Sequence, residues 1–342
     1  MTDHSTSRYA DLSRMAFGFA GSQILYAAVR LGVPDALAAG AMPVEKLAHS
    51  LGCDPGGLSR LLRALVVLGV AEEASPGHVA LAALGEPLLA GHPRSMRSSV
   101  LLLGDPATWQ AWGALTHGAR TGEAAFDHVH GRPLFDHLAC HPELSGIFNT
   151  AMREGTGWIA PEVPKAYDFT GARTVADIGG GNGALLAAIL AAAPGVRGIL
   201  FDTAEGVAGA SEVLRRAGVS DRCSIERGDF FERVPAADLM LVKGVLHDWD
   251  DQRCAALLRR CRESIAAHGR LLVLEPVLPS RLGTAEAAGV VMSDIAMLVY
   301  TGGRERGRDE FRRLLAAGGF GLADVTPPLA GSPIRILVAD PV

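Results

Sequence analysis

An acid followed by three alternate glycines, Asp177 then Gly179, Gly181 and Gly183, is the pattern in this chain that most directly calls for a ligand. The acid stands in a short apolar run (Val175, Ala176, Ile178), and a carboxylate buried there needs a polar partner such as a bound cationic or hydroxylated group. Glycines let the backbone turn sharply and let a ligand approach where a Cβ would otherwise stand. The spacing is G-x-G-x-G; the nicotinamide-cofactor fingerprint G-x-G-x-x-G fails, because position 184 is Ala and position 186 is Leu. A second apolar run, Gly198 to Phe201, ends in Asp202, nineteen residues past Gly183. An acid at the end of a second strand can accept hydrogen bonds from both hydroxyls of a ribose. The stretch therefore reads as a site for a nucleoside-bearing cofactor rather than a pyrophosphate-bearing one. An ordinary strand-to-helix turn is the alternative that the glycines alone leave open.

The elements that must position these residues alternate in type from Arg173 onward. TVADIG is followed by a helical run that Pro194 stops, and GILFD by a helix over Ala204 to Ala217. CSIERGDFF and ADLMLVKGVLH come next, then a helix over Asp251 to Ala267, RLLVLEPV, a further helix, and IRILVAD. Continuous apolar strands alternating with helices predict a doubly wound, mostly parallel α/β sheet with helices on both faces. Ligands of such sheets bind at the carboxyl ends of the strands. Asp177 with its glycines, Asp202, Asp229 with Phe230, Lys243, His247 with Asp248, and Glu275 all fall there.

The N-terminal third reads differently. Residues 11 to 37 show helical spacing of Phe17, Ile24, Leu25, Ala28 and Leu31. Beyond them come a helix, a turn at Gly52 to Pro55, a second helix over Leu58 to Leu68, and a two-stranded wing around Val70 to Leu81. That order is a winged helix-turn-helix, which raises DNA binding. The second helix offers only Arg60 and Arg63 as cations, whereas a base-reading helix presents several polar and basic side chains. A scaffold or dimerisation role fits better. His92 to Asp168 is expected to be mostly helical and is rich in histidine, with His137 and His141 at a spacing that can put two ligands on one helix face. No acid or cysteine completes a ligand set, and no metal is expected. Phe148, Asn149, Met152 and Trp158 on a helix entering the last domain, with Met292 and Met297 further on, are candidates to line a substrate cavity.

The bulk properties exclude several classes. The chain has 342 residues, 49% apolar and 20% charged, enough for a real core. A net charge of −5 leaves no electrostatic footprint for nucleic acid or anionic membrane. The segment MTDHSTSRYA is polar and contains an acid, so neither a leader nor a membrane span is expected. Five cysteines without C-x-x-C spacing read as free thiols in a reducing cytoplasm.

Taken together, VADIGGGNG (175 to 183), LFD (200 to 202), GDFF (228 to 231), LVKGVLHDWDD (241 to 251), LLVLEPV (271 to 277) and MLVYTGGRER (297 to 306) resemble the S-adenosylmethionine (SAM)-dependent small-molecule O-methyltransferases. That family includes caffeic-acid-type and bacterial antibiotic-tailoring enzymes, and with the winged helix the likeness covers nearly the whole chain. It implies residues 1–100 as a helical winged-helix dimerisation domain, 101–170 as a helical linker contributing to the substrate cavity, and 171–342 as a Rossmann-like SAM-binding domain. By the same resemblance Gly179 and Gly181 pass close to the methionine part of SAM, Asp202 holds the ribose, Asp229 binds the adenine amino group with Phe230 against the ring, and Lys243 lies at the cofactor's edge. His247 is then the general base, flanked by Glu275 and Glu305. The implied product is S-adenosylhomocysteine, the implied assembly a homodimer, and no metal is required.

Elementary chemistry agrees with those roles. Methyl transfer from a sulfonium is an in-line displacement, so holding oxygen and carbon close and aligned supplies much of the catalysis. A phenol is mostly protonated near neutrality, and a base adds a further factor of ~10²–10⁴. Histidine has a suitable unperturbed pKa, and a carboxylate beside the ring can fix its tautomer. Two other functions fit the same text: a relative that uses SAM in hydroxylation or decarboxylation, and a winged-helix regulator that senses SAM. Keeping His247 with both glutamates favours transfer to a hydroxylated aromatic or polyketide-like acceptor.

Overall fold

The computed structural model describes residues 4–342, which fall into two compact units. One comprises the chain up to Trp109 together with His141–Glu154; the other comprises Gln110–Cys140 and Gly155–Val342.

In the first unit the expected long helix is three, His4–Ala16, Gly18–Arg30 and Val33–Leu37. The winged helix-turn-helix follows as helices Val44–Leu51 and Pro55–Val67. Pro55 stands at the first helical turn, and Asp54 caps it by accepting the Gly57 N–H at 2.7 Å. Leu58, Leu62 and Leu65 share one face of that helix and are buried against Ala28, Val29 and Leu37. The helix that a DNA reader would use is thus a core helix along this stripe. The wing is β2 (Ala71–Ser75) and β3 (His78–Leu81), with a third short strand, β1 (Met42–Pro43), paired antiparallel to β3. Two residues are too few to announce themselves by alternation. The first two helices and the residue that joins them carry bare apolar side chains: Tyr9, Leu12, Met15, Phe17 and Phe19 are all more than half exposed.

The second unit is built on one twisted sheet. Its strands are β4 (Thr174–Ile178), β5 (Arg197–Asp202), β6 (Cys223–Arg227), β7 (Ala237–Lys243), β8 (Ile265–Leu278), β9 (Arg306–Gly307), β10 (Phe320–Val325) and β11 (Ile334–Pro341). The order is β10-β11-β8-β7-β4-β5-β6, with β9 added to the end of β8. From β8 to β6 all pairings are parallel, and β11 and β10 close the sheet antiparallel. Both faces are covered. Val175, Leu241 and Leu272 pack into one apolar cluster, and their strand neighbours Ala176, Val242 and Val273 into the other. That explains why these strands read as unbroken apolar runs. The helix Ala184–Ala192 has only nine residues, marginal by itself in water. Burial of Leu185, Leu186, Ile189 and Leu190, at about 1.5–3 kcal/mol for each such side chain, holds it.

Two expected helices are shorter than their composition implies. Ala204 to Ala217 is helical only over Ala210–Arg216, because Thr203 Oγ1 accepts the Gly206 N–H in a local turn and Gly209 takes φ +80°. The helix from Asp251 ends at Ser264, and Ile265 already opens β8. Among the described residues no helix is long and apolar enough to cross a membrane.

The chain runs from β4 outward to β5 and β6, then returns to place β7 on the other side of β4. The order therefore reverses between β4 and β7, and the carboxyl ends at such a reversal are where ligands of doubly wound sheets bind. Ile178 pairs with Val242 there, so Gly179 and Lys243 leave the sheet side by side.

Candidate active site

At the end of β4, Gly179 (φ +70°) and Gly181 (φ +57°) occupy the left-handed region that side chains avoid. A Cβ at Gly179 would stand 2.9 Å from Val245 Cγ2, whereas one at Gly181 would meet nothing within 4 Å. Gly179 is therefore glycine for want of room, and Gly181 leaves bare backbone facing open space. The Gly181 N–H donates to Asp202 Oδ2 at 2.8 Å, and the Thr203 N–H to Asp202 Oδ1 at 2.6 Å. Burial raises the Asp202 carboxyl while these bonds oppose the rise. Each oxygen keeps lone-pair capacity for a further donor.

Asp177 is 1% exposed and neither of its carboxylate oxygens has a hydrogen-bond partner. Burial pushes its carboxyl up to about 7, the Lys243 ammonium opposing and Asp202 adding to the rise. An orphaned buried acid beside an accessible glycine backbone is what a cationic, hydroxylated nucleoside ligand would satisfy, so the residues present fit that group. Asn182 Nδ2, in the same turn, is also buried without a partner and was not singled out by sequence. On the far side Phe230 Cε1 lies 3.8 Å from where a Gly179 Cβ would stand. Asp229 is exposed and accepts the Phe231 N–H at 2.7 Å, which fixes the turn that presents Phe230. Burial holds the Lys243 ammonium below its ordinary value, against Glu275, Asp177 and Asp248, which raise it.

His247 sits in a short 3₁₀ turn, Leu246–Asp248, just beyond β7. That turn is gripped from two sides. Glu275 Oε1, inside β8, accepts the Val245 and Leu246 N–H groups at 3.0 and 2.9 Å. Arg306, fully buried, donates to Leu246 O at 2.8 Å, to Trp249 O at 2.7 Å and to Asp251 Oδ1 at 2.9 Å. Gly303 must be glycine, since its Cβ would overlap His247 O. The imidazole Nδ1 lies 3.1 Å from Glu305 Oε1 and 3.4 Å from Glu275 Oε2, and Nε2 lies 4.0 Å from Asp248 Oδ2. Burial by itself weakens the ring's hold on a proton; Glu275, Glu305 and Asp248 reverse that and raise its pKa to about 10. Burial likewise raises Glu275, and pushes Asp248 up to about 6 with His247 opposing.

The structure thus brings His247, Glu275 and Glu305 together, and separately Asp177, the glycines and Asp202, with Lys243 electrostatically coupled to Glu275 and Asp177. Around His247, three further contributors escaped the sequence reading. Ser293 and Asp294, from the helix Ala285–Tyr300, hold Glu305: Ser293 Oγ donates to Glu305 Oε1 at 2.7 Å, and the Glu305 N–H donates to Asp294 Oδ1 at 2.8 Å. Arg306 is the third. A Ser–Asp pair inside the apolar run VVMSDIAML was the available signal.

Of the proposed lining residues, Phe148, Asn149 and Met152 lie on the helix Pro142–Ile159 within the first unit. Trp158, Met292 and Met297 belong to the second unit; Met292 is 60% exposed and Met297 half-buried. The i,i+4 face of His137 and His141 does not form, because the helix ends at Cys140 and Pro142 begins another. His117 instead stacks on His128 (ring centroids 3.8 Å apart), and His137 lies edge-on to Phe126.

A doubly wound sheet with an acid–glycine turn at its switch point, and a half-buried imidazole beside two buried carboxylates next to it, defines a cofactor-dependent enzyme. The chain belongs to the O-methyltransferase family. The family model of the O-methyltransferase domain matches residues 112–321, and that of the O-methyltransferase dimerisation domain matches residues 13–91. The chain is similar to O-demethylpuromycin-O-methyltransferase of Streptomyces alboniger, 42% identical over 331 residues, covering 96% of this chain and 88% of the relative. Among solved structures it is similar to mitomycin 7-O-methyltransferase, with a TM-score of 0.93 at 36% identity, covering 100% of both chains. It is also similar to an O-methyltransferase from neocarzinostatin biosynthesis solved with S-adenosylmethionine and 2-hydroxy-5-methyl naphthoic acid. There the TM-score is 0.81 at 30% identity, covering 94% of this chain and 96% of that one. All three are named methyltransferases, which favours transfer over the hydroxylation and DNA-binding alternatives.

Proposed function

We propose that the protein transfers a methyl group from S-adenosylmethionine to a hydroxyl of a small aromatic or polyketide-like secondary metabolite, with His247 as general base. The observation that carries this reading is the imidazole whose Nδ1 is held by two buried carboxylates, at the strand end next to the glycine turn. When bound, the cofactor supplies a methyl group made electrophilic by its sulfonium. Asp177, Gly179, Gly181 and Lys243 would hold its amino-acid portion and edge, Asp202 its ribose, and Asp229 with Phe230 its base. Glu305 and Glu275 keep the Nδ1 proton in place, which directs Nε2 to the acceptor hydroxyl. The ring takes that proton as the oxygen attacks, and the two carboxylates stabilise the resulting imidazolium. Trp158, Met292 and Met297, all in the second unit, are proposed to line the acceptor cavity.

His247, Glu275 and Glu305 also lie close enough together, within 4.8 Å, for a cation to fit. Nδ1 is at hydrogen-bonding distance of the carboxylates, so a proton does the same electrostatic work and no metal is invoked. Purified protein incubated with isotope-labelled S-adenosylmethionine and a panel of hydroxylated aromatics, with EDTA present, should yield a product carrying one labelled methyl group. A product that gains oxygen, or a duplex shifted in a gel at physiological salt with no transfer to any acceptor, would count against the reading.

The protein is further proposed to act as a homodimer through its first hundred residues, leaving 101–170 to the acceptor cavity and 171–342 to the cofactor. Tyr9, Leu12, Met15, Phe17 and Phe19, on two consecutive helices and the residue between them, leave apolar surface that the first unit does not bury. Light scattering at micromolar concentration should give twice the chain mass, and Phe17→Asp should shift it toward the monomer. A fully active wild-type monomer would end the proposal.

A further inference from the structure

Glu305 receives two donors on one oxygen. His247 Nδ1 lies 3.1 Å from Glu305 Oε1 and Ser293 Oγ lies 2.7 Å from the same atom, while Oε2 is buried with no partner. The competing acid is engaged differently. Glu275 Oε1 is taken by two backbone N–H groups, and only Oε2, at 3.4 Å, is left to face the ring. The imidazole proton is thus shared unequally between two carboxylates, and the nearer one is tied to the helix Ala285–Tyr300 at both ends, by Ser293 at its side chain and by Asp294 at its N–H. A helical serine ordinarily turns its hydroxyl back on the carbonyl one turn earlier. This one reaches across to a loop.

We propose that Ser293 is a positioning residue for the reaction, its hydroxyl fixing the Glu305 carboxylate and drawing off part of its charge so that His247 can release its proton. This inference rests on the general-base reading of His247. A hydrogen bond to a carboxylate stabilises the anion and weakens it as a partner for a second donor. Without the serine hydroxyl, Glu305 Oε1 binds the Nδ1 proton alone, and the imidazolium becomes harder to discharge. The charged groups facing the ring are Glu275 from β8, Glu305 from the loop before β9 and Asp248 from its own turn, with Asp294 behind Glu305 and Lys243, at the end of β7, acting on Glu275 and Asp248. Only Glu305 is reached by Ser293, so the effect has one route.

Ser293→Ala is expected to lower kcat about three- to ten-fold at neutral pH and to move the acidic limb of the kcat profile to higher pH, with most of the rate recovered in alkali. KM for S-adenosylmethionine should stay within two-fold, and Ser293→Thr, which restores the hydroxyl, should restore the profile. A readout independent of turnover is the low-field proton resonance of the imidazole N–H in the free protein, assigned by its loss in His247→Asn. It should move further downfield in Ser293→Ala as the bond to Glu305 strengthens, and return in Ser293→Thr. A loss of rate uniform across pH with that resonance unmoved would reduce Ser293 to packing and overturn the inference. Failure of the parent reading looks different: His247→Asn would then keep near-wild-type activity whatever Ser293→Ala does to the resonance.

Discussion

Replacing His247 by alanine is expected to lower kcat by about 10²–10⁴ while leaving cofactor affinity within a few-fold. The ring keeps one nitrogen out of its contacts with the two glutamates. Nδ1 faces Glu305 and Glu275 at 3.1 and 3.4 Å, so Nε2 remains for the acceptor. The residual rate of the variant should rise with pH as the free phenolate accumulates. The wild-type rate should rise as well, for a different reason. In the free protein the surrounding carboxylates raise the ring's pKa to about 10, so at neutral pH the base is occupied by a proton. Activity therefore climbs as pH rises toward that value and levels off once the ring is neutral. A cation bound at the neighbouring glycine turn brings the levelling-off to lower pH. The same ion pair contributes to folding with the sign of a raised group: its stabilisation is complete below about pH 6.5 and is lost as pH rises through about 10. Glu305→Gln should cost less than His247→Ala, because it removes the orienting charge and leaves the base. The acceptor must be the one with the highest hydroxyl pKa, since an acceptor already ionised needs only proximity. If His247→Ala methylates that acceptor within a few-fold of wild type at neutral pH, the base assignment is wrong.

The parts of this site that were legible in the sequence are those made by short stretches of chain. Asp177 lies near the end of one strand, Gly179 and Gly181 follow it, and Asp202 ends the next, so strand periodicity and glycine spacing were enough to place them together. His247 and Glu275 were legible in the same way, as polar residues at or near the ends of apolar runs. What was hidden depends on contacts between distant segments. Arg306 reads as one charge in GGRERGR, yet it is fully buried because it satisfies two carbonyls of the His247 turn some sixty residues earlier. Ser293 and Asp294 read as helix polarity, and only packing of their helix near the loop at Glu305 gives them work. The edge strand β10 was missed for a related reason. Phe320–Val325 buries only Phe320 fully and lacks the continuous apolar run of the central strands. The over-long helix after Asp202 is the opposite case, where Ala, Val and Glu suit a helix but Thr203 and two glycines turn the backbone first.

Asp202→Ala is the second change expected to have a large effect, and it acts on binding rather than turnover. If the carboxylate accepts both ribose hydroxyls, its loss removes two charge-assisted hydrogen bonds of about 1.5–3 kcal/mol each, and Kd for the cofactor should rise by roughly 10²–10⁴. The carboxylate also ties the Gly181 and Thr203 N–H groups, so truncation frees the glycine turn and adds to the loss. Asp202→Asn separates the two contributions. Its amide oxygen still accepts one N–H and keeps the turn's shape, but it offers no charge, so an intermediate affinity is expected. Calorimetry should be run with S-adenosylmethionine and with S-adenosylhomocysteine, because both carry the ribose and only the first carries the sulfonium. An equal loss for both ligands assigns the effect to the sugar. A loss for the cation alone would move the role of Asp202 from hydrogen bonding to long-range charge, and shift the ribose to Asn182 or Thr203. Wild-type affinity for both ligands in Asp202→Ala would remove this residue from the cofactor site altogether.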